Sequence, residues 1–593
     1  MAKDRSNASG SMSSDGPSLP GGEDYLVQSQ GCPASCGVDT MTGLLGDTVQ
    51  TREQFGSSSA GTFTKLIQAA AKNINHSEEQ PLQDNLARMV ADHSLDEPPV
   101  SSYGEPALMA LPARDLADCL IQSYWECEWS LYPIVDRPKI EAVYQTAWDV
   151  GGPSCSPTTL SLINLCFALG CAYSSVIPPK DRKAMSEDFF TRAEALYRKI
   201  QYLPSLEKVQ CLLLFSIYLQ STDHVFRCWM TVGEAIRMAQ SLGIYQNQPA
   251  SSTESAAYRE QKRRTWHGCV WLDRVMSATL GRPGMIPDWL FNSVPLPAMI
   301  DDEFLDKQTT SSALRPDGKP CTLAFTVKAF ELYQLFDIIL QKVYLGSSGG
   351  EDYQNKLNPV LEFDREIQAW EESLPVHLRY HSGMTRDALA DRQATILRIR
   401  LLHIRIVSLR PSLIRHCKPG ASTYAAKPQI STSAFLSQVI QSEFPRICFQ
   451  CAHELIDLFT ARLDPESMTG PLPSWWYSVL YVYTSATVIL VERFLETKNN
   501  IPEQRSNALR GWNAAVRILQ SYSLVADSAT KCLITLEALS ETLFGGQQGD
   551  TVTGSEGAHA EARYRNLFLE MTQLLGEKTT VPPFDFDDFL WLG

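Results

Sequence analysis

From about residue 112 the chain carries apolar side chains at spacings of three and four. Leu116, Leu120, Tyr124 and Cys127 form one series, Leu206, Val209, Leu213 and Ile217 a second, and Leu397, Leu401, Ile404 and Leu409 a third. That is the period of amphipathic or buried helices. Alternating strand-like runs closed by tight Asn-Gly or Asp-Gly turns are absent from this region; its Asp317–Gly318 pair lies in a loop with Pro316 and Pro320. Residues 112–545 are therefore predicted to be all-α, with loops near 150–158, 246–256, 281–322, 345–354, 381–390 and 417–435. No fixed-period repeat of the tetratricopeptide or ankyrin kind is present.

The flanks have a different texture. Residues 1–60 are rich in Ser, Gly, Asp and Thr and are expected to be disordered. Residues 61–111 hold one modest helical pattern (Phe63, Leu66, Ile67, Ala70), then a linker through Pro98 and Pro99. After Gly545 comes a Gly/Gln/Ser/Thr-rich linker, and residues 546–593 add a short helix and a tail.

Gly470 to Val491 contains no charged residue. Pro471 and Pro473 shorten its helical part, and Ser474, Ser478, Thr484, Ser485 and Thr487 make it too hydroxylated for a span of about 20 apolar residues. A buried core helix is predicted instead, and no membrane partner.

Charge narrows the function. The 593 residues include 52 basic and 67 acidic side chains, a net of −15. Such a surface is unsuited to neutralising phosphates or coating an anionic membrane. Residues 1–110 hold six Lys/Arg against fourteen Asp/Glu, so the N-terminal region is acidic too. Fifteen cysteines lie mostly singly in apolar contexts, and Met1 to Pro20 carries no apolar signal core. A reduced, intracellular protein is expected.

The most informative stretch runs from Trp229 to Pro287. Met230, Val232, Ala235, Ile236, Ala239 and Leu242 mark a helix that Gly243 can close. Arg259 to Leu280 forms the next, with Trp266, Val270, Trp271 and Met276 on its apolar side, interrupted by Asp273 and Arg274. Gly281, Arg282 and Pro283 then stop it. The basic run Lys262, Arg263 and Arg264 shares the helix with Glu260 and Asp273, so local pairing explains it better than phosphate contact.

These residues resemble the regulatory middle homology domain of fungal binuclear zinc-cluster transcription factors. Leu242-Gly243, Arg263-Arg264-Thr265-Trp266, Leu272-Asp273-Arg274 and Leu280-Gly281-Arg282-Pro283 occur in the family's order and spacing. Leu131-Tyr132-Pro133-Ile134-Val135-Asp136, Trp370 with Leu374-Pro375, and His403 through Leu409-Arg410-Pro411 are similar to its other landmarks. The resemblance covers about 112–545. It implies an all-α regulatory domain, nuclear action, homo- or heterodimerisation, and transcriptional control, often of metabolic or secondary-metabolite genes.

The family's DNA-binding module has six cysteines holding two zinc ions. Before residue 112 this chain has only Cys32 and Cys36, too few thiolates for a structural zinc site. No metal or cofactor is therefore expected in this chain, and zinc enters only if a cluster is encoded upstream. Contact with promoter DNA is expected to be indirect, through a partner, or through such an upstream module. Two further readings stay open: a cluster-less coregulator or repressor that heterodimerises with a zinc-cluster protein, and a small-molecule sensor without a direct transcriptional role.

At the C-terminus Phe584, Phe586, Phe589, Leu590 and Trp591 alternate with Asp585, Asp587 and Asp588. Acidic neighbours keep aromatics solvated until they dock into a coactivator groove, so this tail reads as an activation segment. Phe215, Tyr218, Trp229, Met230, Trp475 and Trp476 are each read first as structural core, and a core of this kind has room for an apolar cavity that takes a small-molecule effector.

Catalysis has little support. Asp301-Asp302-Glu303-Phe304-Leu305-Asp306 has the look of a magnesium–diphosphate cluster, but it follows Pro295 and Pro297 in a loop, has no companion metal triad, and is read as a solvated loop. His453-Glu454 lacks the second His of a zinc protease motif. The chain is expected not to be an enzyme.

Overall fold

A computed structural model of the chain describes residues 39–44, 55–75, 108–148, 156–200, 204–247, 254–305, 312–345, 357–380, 387–417, 435–464, 470–498 and 502–544. Helices dominate throughout. In chain order they are α1 (Ala60–Asn75), α2 (Arg114–Tyr124, continued by a π-helical turn Trp125–Trp129), α3 (Arg137–Thr146), α4 (Pro157–Cys171), α5 (Pro179–Arg198), α6 (Leu206–Leu219), α7 (Val225–Ser241), α8 (Ala256–Leu280) and the short α9 (Asp288–Phe291). Then come α10 (Leu323–Leu340), α11 (Leu357–Glu372), α12 (Ala388–Leu409), α13 (Pro411–Cys417), α14 (Phe435–Arg462), α15 (Trp475–Lys498), α16 (Pro502–Tyr522) and α17 (Asp527–Phe544). Among the described residues the β content is a single isolated bridge, Leu314 to Pro320.

Local chemistry sets several boundaries. Ser156, Ser205 and Ser255 cap α4, α6 and α8 by accepting from the backbone N–H three residues on, at 3.1, 3.3 and 3.1 Å. Each satisfies an N–H that the first helical turn would leave orphaned. Gly243 and Gly281 follow the ends of α7 and α8 in the left-handed region, with φ of 67° at both.

One continuous core joins nearly every helix. Helices α4 and α6 are apolar all round, and both lie inside it: residues 160–171 of α4 are all buried, and so are most of 206–219. Helix α15 is the uncharged segment after Gly470. It is long and apolar enough to cross a membrane by composition alone, but 89% of its apolar window is buried within the protein. Two hydroxyls at its start turn inward to partners: Ser474, just before the helix, to Glu128 at 2.6 Å, and Ser478 to the Pro473 carbonyl at 3.1 Å.

The structure differs from the sequence reading near the N-terminus. Within the 1–60 segment expected to be disordered, residues 39–44 and 55–60 pack on the helical body, and α1 continues them. The Thr40 N–H donates to the Thr222 carbonyl at 3.2 Å, and the Gly56 N–H to the Leu280 carbonyl at 2.8 Å. Met41, Leu44, Phe63 and Ile67 enter the common core. The Thr64 hydroxyl lies 2.7 Å from that of Tyr483 on α15. This strap holds by backbone bonds and small residues, which composition does not reveal.

Candidate functional site

Helix α8 carries most of the motif residues, and its polar ones are anchored inside the protein. Asp273 is buried and accepts from the Met285 and Ile286 N–H groups, each at 2.9 Å. It thereby folds the Gly281–Pro287 turn back on the helix. Burial pushes its carboxyl above the usual range, and those N–H bonds oppose the shift. The Arg274 guanidinium lies 3.3 Å from Asp273, 3.6 Å from Asp288 and 3.2 Å from Asp337 on α10. Burial raises the Asp337 carboxyl to about 6, against the pull of Arg274. Gly284 lies against this group; a Cβ there would stand 2.7 Å from Arg274 Nη1.

A second network lies about three turns earlier. Arg264 bonds Glu260 at 3.3 Å, Asp302 at 2.6 Å and the Ile300 carbonyl at 3.4 Å. Glu260 also takes Arg263 at 2.8 Å and the Ala298 N–H at 2.9 Å. Lys262 reaches Glu254 at 2.5 Å. The basic triplet is thus paired locally. Between the two networks Trp266 is fully buried, 6.1 Å from the Tyr245 ring, and the His267 Nε2–H donates to the Pro295 carbonyl at 3.0 Å. Burial pushes the His267 imidazole down to about 4.

Gly281 is in close backbone contact with Gly56 of the strap, and the Arg282 guanidinium lies 4.9 Å from the Trp229 ring and 5.8 Å from the Phe55 ring. Pro283 begins the turn that Asp273 holds. Within the acidic cluster, Asp301 and Asp302 are paired, in contrast to the solvated loop expected there, while Glu303 is exposed. Asp301 is buried; it takes Arg315 at 2.5 Å and the Thr322 and Leu323 N–H groups at 3.3 Å at the start of α10, while Asp302 holds Arg264. Opposite charges and N–H groups folded over them account for the difference. Asp306 lies outside the described residues. So do Cys32, Cys36 and the whole tail from Phe584 to Trp591. His453 pairs with Glu492 at 2.6 Å.

The other landmarks converge on one place. Tyr132, in the segment after α2, stacks on Trp271 of α8 with ring centroids 3.8 Å apart, and its hydroxyl accepts from Arg400 of α12. The Ile134 carbonyl accepts from Gln210 at 2.9 Å and from Gln261. Trp370 donates to the Lys328 carbonyl at 3.1 Å. Arg410, at the end of α12, donates to the strap carbonyls of Ser58 and Ser59 and faces the Phe63 ring at 4.7 Å.

A narrow cavity opens beside Arg400 and Arg410. Its apolar wall includes Val275, Phe336, Val407 and Leu480, and the strap closes one side with Met41, Ser58 and Ala60. The space it encloses is small, about 30 Å³. None of Phe215, Tyr218, Trp229, Met230, Trp475 and Trp476 is on its wall, and Met230 is 46% exposed. Those six therefore do not line this space: the first two are spent on aromatic packing around Phe190, and the others lie at or near the surface or pack among themselves. Sequence reasoning missed Arg400. The available signal was a guanidinium on the apolar face of α12, among Ile396, Ile399, His403 and Ile404.

Among the described residues no group of three or more His, Cys, Asp or Glu is arranged to hold a metal ion. Buried thiols such as Cys228 are pushed up by desolvation and behave as small apolar groups.

Residues 121–372 match the family described as the fungal specific transcription factor domain, and the chain carries that domain. It is similar to sorbicillinoid biosynthetic cluster transcription factor 2 of Penicillium rubens, 27% identical over 81% of this chain and 67% of that protein. It is also similar to sorbicillinoid biosynthetic cluster transcription factor sor3 of Hypocrea jecorina, 26% identical over 84% of this chain and 70% of that protein. A third relative, cutinase transcription factor 1 beta of Fusarium vanettenii, is 23% identical over 71% of this chain and 49% of its own length. The chain is a transcriptional regulator that carries this domain.

Proposed function

We propose that this regulator controls genes of a metabolic or secondary-metabolite pathway from the nucleus. The observation that carries the reading is the similarity to two biosynthetic-cluster transcription factors over more than four fifths of the chain. The helical domain receives the controlling signal, and the tail (Phe584, Phe586, Phe589 and Trp591 among Asp585, Asp587 and Asp588) contacts coactivators. Promoter DNA is reached through a homo- or heterodimeric zinc-cluster partner, or a zinc module encoded upstream of Met1. The chain acts by binding, without catalysis and without a resident cofactor.

A tethering experiment tests this. The full chain is fused to a heterologous DNA-binding module and placed upstream of a reporter in a fungal host. The expected result is activation that falls severalfold when Phe584, Phe586, Phe589 and Trp591 are all replaced by alanine. A fusion that is present in the nucleus and leaves the reporter unchanged would overturn the activator reading. A fusion that lowers the reporter would favour the repressor.

A further inference from the structure

Arg400 is 2% exposed and forms no ion pair with any carboxylate among the described residues. Its Nη2 group donates to the Tyr132 hydroxyl, while Nε and Nη1 have no hydrogen-bond partner among the described residues. The guanidinium carbon lies 5.3, 5.3 and 5.5 Å from the rings of Tyr132, Phe325 and Tyr333. Rings stabilise a cation in part, but a buried guanidinium with idle N–H donors carries a desolvation cost of several kcal/mol. Glu128 is close enough to feel Arg400, but its Oε1 accepts from Tyr173 and Ser474 and its buried Oε2 makes no hydrogen bond to Arg400 or to any other described group.

The cavity that Arg400 lines sharpens the case. Its wall holds a second guanidinium, Arg410, and no Asp or Glu. His403 on the same wall is pushed down to about 3 by burial and by Arg410, so it is neutral. The Thr484 hydroxyl also lines the cavity, buried and without a partner. The rest is largely apolar. The lining therefore suits a negative charge with several acceptor lone pairs, joined to a hydrocarbon body.

We infer that this cavity is an effector site for a small carboxylate with a slim apolar body. The carboxylate takes the idle N–H groups of Arg400, a geometry in which guanidinium and carboxylate match as a fork. The apolar body lies along Val275, Phe336 and Leu480, and the Thr484 hydroxyl donates to the head group. The present opening has room for about two waters, at about 10–15 Å³ for each. The ligand displaces them and presses on the strap wall at Met41 and Ser58. The inference rests on the reading of the helical domain as effector-controlled.

The test uses the full chain, with hexanoate as probe and hexanamide as its neutral match, followed by titration calorimetry and thermal unfolding. Hexanoate is expected to bind and raise the melting temperature, with hexanamide weaker by about tenfold or more. Arg400→Gln is expected to remove the difference between the two. Equal responses to both probes, no hexanoate binding at about 10 mM, or undiminished binding by R400Q would overturn the site. If R400Q does not fold, Val407→Phe carries the test: it fills the cavity and leaves the charge in place. V407F is expected to lose hexanoate affinity about tenfold, and unchanged affinity would overturn the site. Hexanoate binding together with a silent reporter fusion would leave the site standing and count against the transcriptional reading alone.

Discussion

Gly56 and Gly281 meet backbone to backbone. The Gly56 N–H donates to the carbonyl of Leu280 at 2.8 Å, and a Cβ on Gly56 would stand 1.8 Å from the Gly281 carbonyl oxygen. One glycine belongs to the strap and the other closes the motif helix α8. Gly281 has a second reason to be glycine, its φ of +67°, whereas for Gly56 the constraint is contact alone. Gly56→Ala is therefore expected to lift the strap. The predicted cost is about 1–3 kcal/mol in denaturant unfolding, the range for overpacking. Limited proteolysis is expected to cut between residues 39 and 67 faster than in the wild type. Equal cleavage would mean that the contact does not hold the strap.

The Arg274 network gives a graded test. Arg274 and Asp337 are both about 2% exposed in their side chains. Arg274→Met leaves Asp273 and Asp337 buried without their cation, and is expected to cost about 3–5 kcal/mol. Asp337→Asn is expected to cost less, because burial already lifts the carboxyl to about 6 and so penalises its charged form, and the amide oxygen can still accept from Gln341. Urea unfolding of the two variants checks the order; a costlier D337N would show that the ion pair outweighs desolvation.

The helices were legible in the sequence because a large core enforces periodicity: α4, α6, α8 and α15 announce themselves through Leu160–Leu169, Leu206–Leu219, Trp266–Met276 and Trp476–Val491. The residues at which α8 stops were legible as well, through Gly281 and Pro283. What each polar motif residue binds was not. Arg264 finds Asp302, and Arg274 finds Asp337, across dozens of intervening residues, and spacing along one helix says nothing about such partners. The strap was missed because Ser58, Ser59, Gly56 and Gly61 look like linker residues; their smallness is what lets the backbone approach. Arg400 was hidden by company, an arginine among Arg398 and Arg405, which face outward to Glu371 and Glu454.

Acid titration should expose Glu537 on α17. Burial, and then Glu541 one turn on, raises its carboxyl to about 7. A folded value above the unfolded one means that the folded state holds the proton more tightly. The stability from Glu537 is complete below about pH 4.5 and is lost as pH rises through 7. Glu537→Gln keeps a neutral side chain at every pH. It is expected to match the wild type at pH 4 and to exceed it at pH 8, measured as the urea midpoint. A variant weaker than wild type at pH 8 would contradict the assignment.

The neighbours Arg263 and Arg264 separate surface from interior within one motif. Arg263 is partly exposed and has one partner, Glu260 at 2.8 Å. Arg264 is 2% exposed and ties α8 to Glu260, Asp302 and the Ile300 carbonyl. Exposed pairs contribute about 0–1 kcal/mol, whereas losing one member of a buried pair costs about 3–5 kcal/mol. Arg263→Gln is therefore expected to leave stability nearly unchanged, and Arg264→Gln to lower it sharply. Arg264→Lys is expected to fall close to Arg264→Gln, because one ammonium cannot span a fork that reaches two carboxylates and a carbonyl. Binding to duplex DNA gives the second readout. If the triplet served phosphates, R263Q would weaken DNA binding while leaving the fold intact. The pairing of all three side chains predicts instead that R263Q leaves DNA binding as it was, and that only R264Q and R264K change the protein, through its stability.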